Sequence, residues 1–117
     1  MKHDDPFEQL AELAQLEQNW DDENSPPIPE KTISAAKIVL QEIVDKHLPI
    51  PYVVPVPGGN LQLEWHNVVD GDYFEIEFWE NYCAWMLYDH ASMNFLHGKE
   101  STDKIIPAVE NTLKNLS

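Results

Sequence analysis

With 117 residues the chain has the size of one domain, which should bury about two-thirds of its unfolded surface. Hydrophobic residues make up 43%, including four Trp, four Tyr and four Phe, which supplies a packed core and argues against a wholly disordered chain. The formal charge is −14 with no Arg, a balance that opposes binding to nucleic-acid phosphates or anionic membranes and suits a basic protein partner, metal cations or nothing more than solubility.

The opening Met1-Lys2-His3-Asp4-Asp5 lacks the apolar stretch of a secretory leader, and no run approaches transmembrane length. Residues 6 to 18 read as an amphipathic helix. Asp5 is placed to cap it and Pro6 suits its first turn. Phe7, Leu10, Leu13, Ala14 and Leu16 recur at three- and four-residue steps, with Glu8, Glu12 and Glu17 outward. Residues 19 to 29 contain Pro26, Pro27 and Pro29, which restrict themselves and their neighbours to an extended, proline-rich linker. A second helix is predicted over 30–47, with Ile33, Ala36, Val39, Leu40, Ile43, Val44 and His47 as its buried stripe. Pro49 and Pro51 stop it.

An antiparallel sheet is predicted over 52–97, registered from its turns. Pro57-Gly58-Gly59-Asn60 as a turn sets Val56 opposite Leu61, Val54 opposite Leu63 and Tyr52 opposite Trp65. Asp70-Gly71, a type I′ signal, sets Trp65 opposite Ile76 and Leu63 opposite Phe78. Glu80-Asn81 sets Phe78 opposite Cys83, Ile76 opposite Trp85 and Phe74 opposite Leu87. All three turns place the same apolar parity on one face, an agreement that a one-residue slip would break. Pro55 and Pro57 mark the first strand as an edge. Ser92 to His97 adds a fifth strand ended by Gly98. A last helix spans 103–116, with Ile106, Val109, Leu113 and Leu116 inward and Pro107 near its first turn. The expected architecture is α+β: a four- or five-stranded antiparallel meander sheet, with two N-terminal helices and one C-terminal helix packed on one face.

The opposite face is acidic. The same register sets Glu64 opposite Glu77, His66 opposite Glu75 and Gln62 opposite Trp79. Like charges directly across a ladder are destabilising. Either a cation or a basic side chain neutralises them, or the carboxylates stay hydrated and splay apart. Glu64, His66, Glu75 and Glu77 are suitable donors for a cation but lack the spacing of a metal motif, so no metal is assigned. Glu64 and Glu77 could serve as the paired carboxylates of a hydrolase. No Ser-His-Asp order, HExxH, CxxC pair or phosphate loop accompanies them, and the chain reads as a non-enzyme without a cofactor.

Trp20 beside Asp21, Asp22 and Glu23, on a proline-stiffened linker, is the other candidate contact. In the alternative, Trp20 folds back to staple the first helix onto the core. Trp65 and Trp85 fall on the core face. Trp79 falls on the polar face beside Tyr82, either covered by another element or forming a contact. Cys83 is the single cysteine, which rules out an intramolecular disulfide, favours a cytoplasmic home and suggests a core thiol.

Asn19-Trp20-Asp21, then Pro26-Pro27-x-Pro29 opening a helix, then the run from Val54 through Gly59 to Leu63-Glu64-Trp65, and Glu75-Ile76-Glu77, form a pattern. It resembles a widespread group of small, uncharacterised bacterial proteins with an Asn-Trp-Asp-Gly-Tyr-Gly-Ala-like stretch and a Gly-Gly-x-Gln-Leu-Glu-Trp strand. The likeness covers roughly residues 19 to 80. Asp22-Glu23-Asn24-Ser25 here replaces the glycine-rich version. The resemblance implies a bacterial or phage origin and a conventional fold, and brings no activity with it.

The expected function is a small acidic interaction protein: an antitoxin, an inhibitor such as an anti-CRISPR, or another accessory factor that binds and neutralises or modulates a basic partner. Glu64, Glu75, Glu77 and Trp79 carry the contact, extended by Asp21 and Asp22. The alternatives are a cation-binding domain on Glu64, His66, Glu75 and Glu77 and, further off, a metal-independent hydrolase. No direct nucleic-acid or membrane partner is expected.

Overall fold

The computed structural model describes residues 5–66, 72–90, 93–101 and 104–116. The elements are α1 (Pro6–Leu13), α2 (Glu30–Asp45), β1 (Tyr52–Val56), β2 (Asn60–His66), β3 (Tyr73–Phe78), β4 (Cys83–Asp89), β5 (Asn94–Glu100) and α3 (Ile105–Leu116). They form an α+β fold whose five strands make one antiparallel sheet in the order β1-β2-β3-β4-β5.

The start of α1 and the ends of α1 and α2 each have a visible reason. Asp5 Oδ1 accepts the Phe7 N–H at 2.8 Å and Pro6 opens α1, as the sequence implies. α1 ends at Leu13, short of the expected 18. Gln15 and Leu16 bond back three residues, and Asn19 takes a left-handed φ of 68° while its N–H reaches Ser25 O at 2.7 Å. The loop after the helix thus competes successfully for its last turn.

α2 stops in a Schellman motif. Leu48 N–H reaches Ile43 O at 3.0 Å and His47 N–H reaches Val44 O at 3.1 Å, with His47 at φ 55°. His47 is therefore the exposed left-handed residue past the helix end, not part of the buried stripe, and Leu48 buries instead. Val44 is also exposed; the stripe runs through Thr32, Ala36, Val39, Leu40 and Ile43. In α3 the buried positions are Ile105, Val109 and Leu113, so Ile106 is only half-buried. Position 103 and the Leu116 side chain lie outside the described residues.

The sheet register agrees with the turn-derived one at one hairpin and departs at two. Phe78↔Cys83, Ile76↔Trp85 and Phe74↔Leu87 are as expected. Between β2 and β3 the pairs are Trp65↔Phe74 and Leu63↔Ile76, two residues away from expectation. A shift of two keeps every side chain on its own face. The turn assigned to Asp70-Gly71 falls outside the described residues.

Between β1 and β2 the slip is one residue, and it inverts the strand. Val56 pairs with Asn60 and Val53 with Leu63, so Val53 is buried while Tyr52, Val54 and Val56 lie on the other face. The cause is the turn, which holds residues 57–59, with Gly58 and Gly59 at φ 98° and 86°. β1 is an edge, as its prolines require, and Gln9 of α1 accepts the Val53 N–H at 2.9 Å. β5 extends to Glu100, past Gly98. A Cβ at Gly98 would come within 2.8 Å of the Trp85 ring, so the missing side chain leaves room for the indole.

One core joins the layers. Leu10 and Leu13, the α2 stripe, and Ile105, Val109 and Leu113 share it with Leu61, Leu63, Trp65, Phe74, Ile76, Phe78 and Cys83. Lys46 Nζ bridges α2 to Glu110 of α3 at 3.0 Å, and Lys31 Nζ donates to Asn81 Oδ1 at 2.9 Å, tying α2 to the β3–β4 turn.

Candidate functional site

The sheet parity that avoids the core carries the candidate site. Pairing aligns it in rows: Tyr52, Glu64, Glu75, Met86 and His97 in one; Val54, Gln62, Glu77, Ala84 and Lys99 in the next. A third row, His66, Tyr73, Tyr88 and Phe95, forms an aromatic margin. Glu64 thus stands opposite Glu75, Glu77 opposite Gln62, and His66 opposite Tyr73. The expected pairs Glu64–Glu77, His66–Glu75 and Gln62–Trp79 do not form, because of the two-residue shift.

Two of the three glutamates are held by side chains beside them on the same face. Gln62 Nε2 donates to Glu64 Oε2, and His66 Nε2 lies 2.9 Å from Glu64 Oε1. The Tyr73 hydroxyl donates to Glu75 Oε1 at 2.7 Å. Burial first, then that hydrogen bond and the charges of Glu75 and Glu64, push the Tyr73 phenol well above its ordinary range, so it stays a donor. His66 is edged by the rings of Tyr52 at 5.8 Å and Tyr73 at 5.0 Å. All three glutamates are half-buried, and no Lys pairs with any of them among the described residues. The lysine in their rows, Lys99, lies 5.3 Å over the Tyr82 ring instead.

Glu77 is the least comfortable of the three. Burial, and next the charge of Glu75, raise its carboxyl above the usual carboxylate range. The folded chain then holds this proton to higher pH than the unfolded chain does. Stability from this group falls as pH rises through the folded value and is not regained above it. Glu77→Gln is therefore expected to raise the melting temperature at pH 7. The gain should shrink as pH falls through the folded value and be gone by about pH 3, below the unfolded value, where the carboxyl is protonated in both states. Thermal melts of both proteins across that range check it.

The other sequence candidates sit elsewhere. Trp79 closes the face at its turn end, stacked on Tyr82 with centroids 5.7 Å apart and planes 5° from parallel. Asp21 lies off the sheet, in a self-bonded loop. Its carboxylate accepts from Ser25 Oγ at 2.5 Å and from the Glu23 and Ser25 N–H groups. The Ser25 bond, first among the causes, holds its carboxyl below the usual range. Asp22 is exposed at φ 61° in the same loop. Trp20 is half-buried and donates Nε1–H to Pro26 O at 2.8 Å within the loop, outside the core cluster. Segment 19–27 is thus a folded loop rather than an extended linker, fastened to the β1–β2 turn by Gly58 N–H on Ser25 Oγ at 2.9 Å. Trp65 is core, Cys83 is fully buried and Trp85 is half-buried.

Among the described residues no group of three His, Cys, Asp or Glu side chains is arranged to hold a metal ion. None of their helices is long and apolar enough to cross a membrane. The aromatic margin was readable from strand parity, since Tyr73 shares it with Glu75 and Tyr88 with Met86. Tyr52 was hidden by the inverted first strand. No protein-family model, curated protein or solved structure matches the chain.

Proposed function

We propose that the sheet face bearing Glu64, Glu75 and Glu77 binds a basic segment of a partner protein, which the chain thereby neutralises or modulates. The reading takes all three helices to cover the other face, leaving this one free. It rests on one observation: half-buried carboxylates that no lysine among the described residues neutralises, with Glu77 driven towards its protonated form. An incoming Lys or Arg supplies the missing charge, and Arg can also lie against Tyr52, Tyr73 or Trp79. Charge of this kind speeds and orients association more than it adds affinity. An antitoxin, an inhibitor or a similar accessory factor acting in a bacterial cytoplasm fits this chemistry, in keeping with the sequence resemblance. A cation site on the same residues has weaker support, because His66 and Glu64 already hold each other.

The test is capture from source-cell extract on immobilised wild-type chain and on Glu64→Lys/Glu77→Lys. A basic protein should be retained by the first and not the second. It should elute as salt rises past about 0.15 M, where the Debye length is near 8 Å. Equal retention by both would move the search to the loop of Asp21 and Asp22 or to the helices.

A further inference from the structure

The two edges of the sheet are finished differently. Along β1, Pro51, Pro55 and Pro57 remove donors and Gln9 of α1 occupies the Val53 N–H, which are ways of keeping another strand away. β5 at the far edge has no proline. Among the described residues no strand pairs its outer side, and there Met93 is 74% exposed, Phe95 61% and Leu96 53%. The charges of β5, Lys99 and Glu100, lie at one end, so the half that begins at Asn94 presents an exposed apolar edge, a template for strand addition.

Charge decides which strand can come there. Residues 60–80 carry six acids and no Lys, whereas residues 81–100 carry Asp89 and Glu100 against Lys99, a net −1. A basic partner is drawn to the first segment, not the second. A second copy of this acidic chain meets its least repulsion at the second.

We propose that the chain self-associates by pairing β5 antiparallel with β5 of a second copy, about a two-fold axis at His97. In that register Phe95 of each copy faces Lys99 of the other, so no lysine meets a lysine, and the Lys99 ammonium has the Phe95 ring of the other copy as an alternative to its own Tyr82. Leu96 faces Gly98 of the other copy and lies against the Trp85 ring beside that glycine. The glutamates of the two copies stay apart. Five strand spacings separate β3 from its counterpart, roughly 24 Å at ~4.8 Å each, against a Debye length of about 8 Å at 0.15 M salt. The pairing is independent of the basic-partner reading and leaves both acidic faces open.

The experiment is the solution mass of the full chain by sedimentation equilibrium. Wild type is expected at twice the 13.5 kDa of one chain. Phe95→Lys, which sets Lys against Lys99 of the other copy, should halve the mass. Phe95→Lys/Lys99→Glu, which restores opposite charges across the axis, should return it to the dimer value. Circular dichroism confirms that each variant is folded; if Phe95→Lys is not, Leu96→Lys replaces it with the same expected halving. A wild-type mass of one chain at every concentration, a mass above two chains, a dimer indifferent to the folded single variant, or a folded double variant that stays monomeric would each overturn the proposal.

Discussion

Replacing Trp65 with alanine is expected to lower the unfolding free energy by about 3–5 kcal/mol, the range for deleting a large buried aromatic. The indole is 2% exposed, its ring centroid lies 5.2 Å from that of Phe74, and its Nε1–H donates to Pro49 O at 2.7 Å. One side chain thus fills the centre of the core and fastens the connection from α2 to β1. Trp65→Phe separates the two roles. It keeps most of the apolar burial but leaves the Pro49 carbonyl without its donor, an omission worth roughly 1–3 kcal/mol. Urea unfolding measures both, provided the slope with denaturant is unchanged. A Trp65→Ala protein as stable as wild type would mean that the core lies on the other face of the sheet.

Gly59→Ala should be the next most damaging change. Gly59 has φ +86°, and a Cβ there would come 2.9 Å from Pro26 Cγ and 3.3 Å from Pro27 O. The backbone conformation costs a residue with a side chain about 1–3 kcal/mol. The collision with the proline loop adds roughly 1–3 kcal/mol of overpacking. Gly58→Ala is the control. It shares the positive φ, at +98°, but the nearest atom to its Cβ is Asn60 Nδ2 at 3.7 Å, so only the backbone cost applies. The difference between the two variants in chemical denaturation isolates the contact between the 19–27 loop and the β1–β2 turn. Equal losses would show that the prolines do not press on that turn.

The parts of this fold that were legible from sequence are those where two signals overlap. The β3–β4 register was readable because a short turn at Glu80-Asn81 lies between strict alternations that fix parity on both sides. The β2–β3 connection is longer, and alternation alone constrains register only in steps of two; the faces were recovered and the partners were not. β1 was inverted because Val53, Val54 and Val56 carry apolar residues in both parities, leaving the decision to one residue of turn length. His47 fits helical periodicity, and nothing in apolar spacing shows that it leaves the helix to close a Schellman motif. At the site, Glu64, Glu75, Glu77 and Trp79 were legible because parity alone puts them together. Asp21 was not. Its carboxylate is consumed by Ser25 and two backbone amides, which depends on a folded loop that the prolines had suggested would be extended.

The most direct measurement on the acidic face is an amide chemical-shift titration of the labelled chain with the basic protein it captures. The proposed function predicts shifts at Gln62, Glu64, Glu75, Glu77 and Met86 and at the Trp79 indole, with α1, α2 and α3 unmoved. Shifts confined to the helices or to the loop of Asp21 and Asp22, with the sheet face silent, would contradict it.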